Sequence, residues 1–527
     1  MPDEGARGAR GNQRLMSPKA AIPVVNSVFG AILGTAALVF IAKNMGPTVM
    51  GQLGFALASV GILSFLSDFG VGSVHANHIR SGEDPAKCVG AYAVIKLVLL
   101  VIFATVTLVL IELWSRGALG GVSPASHAVQ NSMRAFLVYY VLLGMNQIAT
   151  HTFEAQGAVA KVHVPSLLEL IVRVSFIIYV ANSGLATSSE GPALLSASYA
   201  AGMIASTLLV ALLVTQVRFA KPDRVILMKY VRSLAPVFVV SATIILDLYL
   251  DKLLVGDFWG YHELGLYFGA QKMAVFVGVF SLAVATLILP SVTTYFTRKD
   301  VAASWDVVNQ AERYVSLVVI PTAAFYLTFG SQILSVFLTD EFASAVRTMD
   351  VLVIGSAVVA LVLPLRSAIV GVGKHTTLFF IGLGGLAVQF LAMLVLVPDE
   401  LLGIPMAGLK GLGAALALLI SSVYYFFVLR YMAWSAAKIV PNSRSFKHLL
   451  SAVFMVGVMY IVKYLVIPEI DWLALVALAV IGSLAYGLAA YVMGELEPSD
   501  YRYFRSLLNP QDTVRYVVNE LLGKRGH

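Results

Sequence analysis

Cysteine occurs once in the 527 residues, as Cys88, so the sequence offers no intramolecular disulfide and no cysteine-based zinc site. Charge is scarce as well: 12% of residues are charged against 59% hydrophobic, which excludes an ordinary soluble domain. Long polar loops are missing, and the longest outer one, around Arg116–Ala128, has about 13 residues with no carboxylate pair and little to fold around. No G-x-S-x-G, H-E-x-x-H or P-loop pattern stands in a suitable context, so the expectation is a protein that is not an enzyme and needs no cofactor. His75 and His78 form an H-x-x-H, but no third ligand is visible; they read as interfacial histidines, and no metal is assigned. Met1–Ser17 lacks an apolar core and a small-residue cleavage site, so it is expected to be a polar cytoplasmic arm.

What is abundant is apolar sequence. Ala21–Ala42, Val89–Trp114, Ser196–Val217 and Phe379–Val397 each reach the roughly 20 residues needed to cross about 30 Å of hydrocarbon. Peptide groups find no water there, so each span must be helical. The predicted class is all-α and polytopic, with about 14 transmembrane segments. These fall near 20–42, 52–78, 88–115, 130–153, 165–183, 193–217, 229–255, 265–296, 310–337, 346–371, 375–398, 410–433, 447–467 and 472–494. Placing both termini in the cytoplasm puts roughly 23 basic residues inside against about six outside, as the positive-inside rule requires. The net charge of +7 is therefore a topology signal and a match to anionic membrane lipids, not a sign of nucleic-acid binding.

A repeat is visible at an offset of about 214 residues. Gly46-Pro47-Thr48-Val49-Met50-Gly51, leading to Ala56, echoes Gly260-Tyr261-His262-Glu263-Leu264-Gly265, leading to Ala270; Pro23 and Pro236 stand upstream at nearly the same offset. The repeat divides the chain into an arm (1–19), an N-lobe of six segments (20–217), a C-lobe of six (218–436), two additional segments (437–494) and a cytoplasmic tail (495–527). In the tail, Val514, Val517, Val518, Leu521 and Leu522 recur at helical spacing beside Arg515, Lys524 and Arg525, predicting an amphipathic surface helix.

Asp251-Lys252-Leu253-Leu254-Val255-Gly256, Gly260 and Glu263-Leu264-Gly265-Leu266-Tyr267 with Ala270 resemble the signature of polysaccharide and oligosaccharide-lipid flippases. These belong to the multidrug/oligosaccharidyl-lipid/polysaccharide exporter superfamily. Gly371-Val372-Gly373-Lys374, Val397-Pro398 and Gly411-Leu412-Gly413-Ala414-Ala415-Leu416-Ala417 agree, as do Gly46-Pro47, Gly51 and Ser67-Asp68-Phe69-Gly70. Two departures stand out: segment 1 carries Asn26 but no carboxylate, unlike many drug exporters of the superfamily, and Gln389 stands where the family often has asparagine.

The resemblance implies a flippase in the cell membrane that moves a polyprenyl (pyro)phosphate-linked glycan from the cytoplasmic to the outer leaflet by alternating access. A glycan polymerase or glycosyltransferase is the implied partner. Phosphate in a low-dielectric cavity demands cations, and a charge inside a membrane is costly enough to be a functional candidate. Lys272 and Arg366 lead on depth and lobe, with Lys96 and Arg173 behind them; Arg134, Arg232 and Arg313 stand near segment ends, where snorkelling accounts for them.

Among the carboxylates, Glu169 and Arg173 at i, i+4 read first as a structural ion pair. Asp247 and Asp251 share that spacing as like charges, which makes them candidates for coupling to a Na⁺ or H⁺ gradient, although Lys252 stands ready to neutralise Asp251. Asp68, before Gly70 and Gly72, is a coupling or gating candidate on a segment expected to break. Tyr139, Tyr140, Tyr249, Tyr267 and Tyr295 could stack on sugars; Tyr424, Tyr425 and Trp434 read as an interfacial belt. The readings that compete with glycan transport are a lipid II flippase or drug exporter of the same superfamily and, from another class, a membrane glycan polymerase or ligase.

Overall fold

The computed structural model describes residues 18–117, 127–187, 189–215, 217–279, 281, 301–437, 444–467 and 469–496. Most of the N-terminal arm, nearly all of the tail with its amphipathic stretch, Tyr295 and the second half of the eighth predicted segment lie outside them.

The helices are α1 (Pro18–Leu63), α2 (Phe65–Asp68), α3 (Val71–Arg80), α4 (Pro85–Ser115), α5 (His127–Ala155), α6 (Val159–Asn182) and α7 (Gly191–Val214). They continue with α8 (Arg224–Ala274), α9 (Val301–Phe337), α10 (Val346–Gly371), α11 (His375–Leu396), α12 (Lys410–Ala437), α13 (Arg444–Val466) and α14 (Trp472–Val492). A two-stranded antiparallel ribbon, β1 (Glu400–Leu401) with β2 (Ile404–Pro405), turns the chain between α11 and α12.

Every predicted segment has a helical counterpart. Segments 1 and 2 run together through α1 to α3, and segments 7 and 8 run together in α8, whose helices meet at kinks rather than loops. Among the described residues ten helices are long and apolar enough to cross a membrane, or eleven if Arg224–Leu234 and Val237–Val279 form one bent span. Helix α5 is long enough but more polar, and it buries Gln130, Asn146 and Thr152. Outward-facing side chains such as Val101, Leu208, Leu212 and Phe427 are apolar, as a lipid-facing surface requires. The protein is a multi-pass membrane protein.

Many hydroxyl groups inside the spans turn back on their own helix, as Ser196 does to the Pro192 carbonyl (2.9 Å) and Thr207 to that of Met203 (2.7 Å). Two helix starts carry side-chain caps. Asp84 accepts from the Ala86 amide with Pro85 at the first position, and Asp471 accepts from Ala474.

The chain divides into two compact units, one formed by Ile32–Gly269 with Phe390–Ala414, the other by Met1–Ala31, Ala270–Gln389 and Ala415–His527. In the first, α7 packs on α5 and α6. The contact with α6 is close: a methyl group at Gly202 would lie 2.6 Å from the Glu169 carbonyl. In the second, α9 packs on α10, and the α13–α14 hairpin docks on α9.

The repeat is expressed in backbone geometry within the first unit. Gly46 (φ 74°, ψ 179°) and Gly260 (φ 79°, ψ 179°) adopt the same conformation, in a region open almost only to glycine, and each kinks its helix. Five residues on, the relation is reciprocal. A Cβ at Gly51 would lie 1.7 Å from the Tyr261 carbonyl oxygen, and one at Gly265 would lie 1.8 Å from that of Pro47. The two arms beyond the kinks cross where neither carries a side chain.

At one end of the first unit, polar residues fasten the turn before α4 to the start of α8. Lys229 Nζ lies 2.6 Å from Glu83 Oε1, His78 Nδ1 lies 3.2 Å from Glu83 Oε2, and Lys87 Nζ lies 3.4 Å from Asp223 Oδ2. The hydrogen bond from Lys229, helped by the nearby His78, holds the Glu83 carboxyl below the usual glutamate range. The Ile226 amide, followed by Lys87, does the same for Asp223. Because both folded-state values are lowered, the stabilisation is present above the unfolded-state values and is lost as pH falls through the folded ones. Hydrogen-exchange protection of amides 86–90 is therefore expected to hold down to about pH 5 and to fall toward about pH 3. Glu83→Gln should show lower protection at neutral pH and a flatter profile, whereas an unchanged profile in that variant would assign the effect elsewhere.

Candidate translocation site

The charged candidates separate into three groups in the first unit and two exposed cations in the second. The first group forms at a break in the second predicted segment. Helix α2 ends at Asp68, Phe69 (φ 46°) and Gly70 (φ 71°) both take left-handed conformations, and α3 starts at Val71. A left-handed phenylalanine is strained; here its ring stacks on Phe238, with centroids 4.5 Å apart. A methyl at Gly70 would strike Val237 at 2.3 Å, and one at Gly72 would strike the His151 ring at 1.9 Å.

Beside this break, Lys96 Nζ of α4 donates to Asp68 Oδ1 (2.9 Å) and to Gln147 Oε1 of α5 (2.7 Å). Lys96 is 0% exposed, while the Asp68 side chain keeps 26% of its surface open. A buried lysine thus meets a partly accessible carboxylate at a discontinuity of the helix, where a change in charge state and a change in backbone geometry act on the same residues. The network extends through Tyr92, whose hydroxyl is 3.0 Å from His151 Nδ1, to the ring of His75 stacked on Tyr92. His75 is bonded through Nδ1 to Tyr230 and through Nε2 to Thr152, both at 2.9 Å. His78 faces Glu83 and stacks on the Tyr230 ring, centroids 4.6 Å apart, so both histidines of the H-x-x-H meet Tyr230.

In the second group, Arg173 Nε stands 3.2 Å from Glu169 Oε1, and the guanidinium lies over the Tyr199 ring at 4.6 Å. Tyr139 meets Tyr199 and Tyr140 edge-on, and the Tyr140 and Tyr249 hydroxyls are 2.7 Å apart. Four tyrosines with an ion-paired arginine make a polar aromatic surface that is built largely by packing.

The third group joins the two family-like stretches. Asp251 is buried, Lys252 Nζ donates to its Oδ1 and Oδ2 at 3.0 and 3.1 Å, and the Tyr267 hydroxyl donates to Oδ2 at 2.7 Å. The Tyr267 ring covers Gly411, where a methyl would come within 3.0 Å of its Cβ. A methyl at Gly413 would lie 2.4 Å from the Leu396 carbonyl oxygen, and one at Gly256 would lie 2.4 Å from the Phe55 ring. The neighbouring turn is tied down by Trp259, whose Nε1 donates to the Val397 carbonyl (2.7 Å), and by Lys410, 2.9 Å from Glu263 and over the Trp259 ring. Asp247, one turn before Asp251, is exposed.

In the second unit, Lys272 and Arg366 are both exposed, on α8 and α10. Arg134 and Arg232 are exposed as well, and Arg134 donates to Asn131. Arg313 differs: it is 3% exposed and donates to the Glu495 main-chain oxygen, with Nε 3.6 Å from Glu495 Oε2. Glu495, itself 1% exposed, also faces Lys447 (2.9 Å), His448 (3.7 Å) and Arg444 (4.0 Å), pinning the end of α14 to α9 and α13. Arg430 pairs with Glu312 at 3.0 Å. Tyr424 and Tyr425 pack on Gly384 and Gly385 of α11, and the Tyr425 hydroxyl donates to the Gly382 carbonyl.

Gln147, His151, Tyr92 and Glu495 were not among the residues singled out from the sequence. Each acquires its role from a partner on another helix, and nothing local announces it.

A model of the family described as polysaccharide biosynthesis protein matches residues 19–296, more than half of the chain. The chain belongs to this family. A probable low-salt glycan biosynthesis flippase, Agl15 of Haloferax volcanii, is 24% identical over 333 residues, covering 62% of this chain and 66% of that protein, just short of two thirds of its length. Among solved structures, the lipid II flippase MurJ in an inward closed conformation superposes with a TM-score of 0.71 at 15% identity, covering 89% of this chain and 98% of that one. An inward-facing multidrug resistance MATE family transporter of the MOP superfamily gives a TM-score of 0.58 at 16% identity, over 80% of this chain and 96% of that one. The family member therefore has the polytopic fold shared by these transporters.

Proposed function

We propose that this protein is a flippase that carries a polyprenyl-(pyro)phosphate-linked oligosaccharide from the cytoplasmic to the outer leaflet for assembly of cell-surface polysaccharide or glycoconjugate. The observation that carries the reading is the buried Lys96–Asp68–Gln147 network at a broken span of a chain in the polysaccharide biosynthesis family. The greasy tail of such a substrate remains in hydrocarbon, while its phosphates and sugars require a hydrated path lined by cations and hydrogen-bonding groups. The lobes 20–217 and 218–436 rock about that path in this reading, with both termini in the cytoplasm. Lys272 and Arg366 contact the phosphates, Arg173 and Lys96 act behind them, and Asp68, Asp247, Asp251 and Glu169 are the groups through which a Na⁺ or H⁺ gradient is coupled. A glycan polymerase or glycosyltransferase works alongside it.

The test is translocation of a fluorescent polyprenyl-pyrophosphate oligosaccharide in proteoliposomes, with and without sodium and proton gradients. Outer-leaflet appearance that depends on the protein is expected. Lys272→Ala and Arg366→Ala should each lower the rate about ten- to a hundredfold, the value of a lost charge-assisted contact, with normal protein yield. Unchanged transport in either variant removes that residue from the site. Lengthening of a lipid-linked glycan by the purified protein would replace the transport reading with a polymerase.

A further inference from the structure

Two histidines beside the broken span share one arrangement, in which a tyrosine hydroxyl stands between the ring Nδ1 and a main-chain carbonyl. The Tyr230 hydroxyl lies 2.9 Å from His75 Nδ1 and 3.3 Å from the Cys88 oxygen. The Tyr92 hydroxyl lies 3.0 Å from His151 Nδ1 and 3.4 Å from the Gln147 oxygen. A hydroxyl so placed serves either charge state of the ring. Beside a neutral imidazole it donates to Nδ1. When a proton adds at Nδ1, the new N–H donates to the tyrosine oxygen and the hydroxyl turns its own hydrogen to the carbonyl. The ring takes up charge without orphaning a donor.

The two sites differ in what surrounds them. His75 is buried, and Thr152, which spends its own hydrogen on the Ile148 carbonyl (2.7 Å), accepts from His75 Nε2. The titratable groups facing His75 among the described residues are His78, His151, Tyr92 and Tyr230, and none of them offers a counter-charge to a buried cation. His151 is only half-buried. It faces Asp68 of α2, Lys96 and Tyr92 of α4, His75 of α3 and Glu154 of its own helix, so two carboxylates supply the counter-charge that His75 lacks.

A charge on His151 acts directly on the break. The ring lies against Gly72, where a Cβ would come 1.9 Å from Nδ1, in the first turn of α3 and two residues past the left-handed Gly70. The amino end of that helix repels a cation, and so does Lys96. Asp68, held by Lys96 at 2.9 Å, attracts it. The Tyr92 hydrogen meanwhile moves to the carbonyl of Gln147, the residue whose side chain accepts from Lys96 at 2.7 Å. A proton on His151 is therefore felt by Lys96, Asp68 and Gln147 and by the start of α3.

We infer that His151 is a proton-binding site whose charged form opens the Lys96–Asp68 pair and moves α3 at the Phe69–Gly70 break, so that protonation gates transport. The link to transport rests on the flippase reading; the proton site itself does not.

The experiment uses the full-length protein in nanodiscs with ¹⁵N-labelled histidine, and follows the imidazole nitrogens from about pH 8 down to about pH 4.5. His151→Asn, whose amide oxygen can still accept from Tyr92, identifies the His151 signals among the nine histidines. His151 is expected to pass in this range from the Nε2–H form to the cation. Tyr92→Phe removes the acceptor of the Nδ1–H bond and should weaken proton affinity about tenfold, whereas Tyr230→Phe, which touches the His75 site, should change it less than about twofold. Protection factors of amides 67–73 should drop as pH falls through the same midpoint and stay level in His151→Asn. Constant His151 shifts, an unmoved midpoint in a folded Tyr92→Phe protein, or the wild-type exchange profile in His151→Asn would each overturn the inference. Translocation of the fluorescent lipid in proteoliposomes, at equal pH on both sides, should change about fivefold or more across the titration in the wild type and less than about twofold in His151→Asn. Equal pH dependence of the two proteins overturns the gating. No translocation by the wild type at any pH counts against the flippase reading alone, because titration and exchange are measured without a glycan.

Discussion

Alanine at Gly51 or at Gly265 is expected to remove most of the folded protein, a loss of about 3 kcal/mol or more per substitution. A single added methyl would sit 1.7 Å from the Tyr261 carbonyl oxygen in one case and 1.8 Å from that of Pro47 in the other. Both obstacles are backbone, so no side-chain rotation relieves them. The kinked arms would have to separate, uncovering Met50, Leu53, Leu264 and Tyr267, all buried at this crossing. The double variant should cost less than the sum of the two, because one separation relieves both clashes. Two comparisons isolate the cause. Gly34→Ala has nothing within 4 Å and should leave melting unchanged or slightly raised. Gly46→Ala also meets no neighbour but forces a side chain onto φ 74°, so it should lose about 1–3 kcal/mol through backbone strain alone. The measurement is monodisperse yield and thermal melting of a fluorescent fusion by size exclusion; wild-type behaviour of Gly51→Ala would contradict the crossing described here.

Lys96→Met should be comparably severe, at about 3–5 kcal/mol, the cost of removing one partner from a buried ion pair. It leaves Asp68 facing a non-polar side chain and strips Gln147 Oε1 of its donor. Asp68→Asn should cost a similar amount, because Lys96 has no surface of its own through which to reach water. Lys96→Met combined with Asp68→Asn removes both charges and should regain a large part of the stability, giving a coupling energy of about 0.5–3 kcal/mol in a double-mutant cycle. Melting temperatures of the four proteins supply the cycle, and additive losses would mean the pair is not coupled. The double variant also separates structure from transport. If it folds and translocates glycan at the wild-type rate, the pair only holds the broken helix; a folded but inactive protein assigns the pair to the transport cycle.

How far these features could be read in advance varied with the range of the interaction. Gly46, Gly51, Gly260 and Gly265 stood out because glycine at a fixed offset signals a backbone requirement, and the structure supplies one at each position. The break after Asp68 was foreshadowed by Gly70 and Gly72, and the Glu169–Arg173 pair by its i, i+4 spacing. Asp251 had two readings from its neighbours, and the structure gives it Lys252 and Tyr267 as partners. His75 and His78 read as interfacial histidines, whereas His75 is buried and both rings meet Tyr230, 155 positions along the chain from His75.

The sequence by itself determined the solvent, the all-helical class, the segments and the family, since hydrocarbon thickness and the need to satisfy every peptide group act on each stretch locally. It also determined where the chain kinks, because glycine's freedom belongs to the residue and to no partner. Only the tertiary structure decided which buried charges neutralise each other. Lys96 with Asp68 and Arg313 with Glu495 each depend on helices far apart in sequence, and a helix turns its side chains by about 100° per residue, so one position decides whether two charges meet.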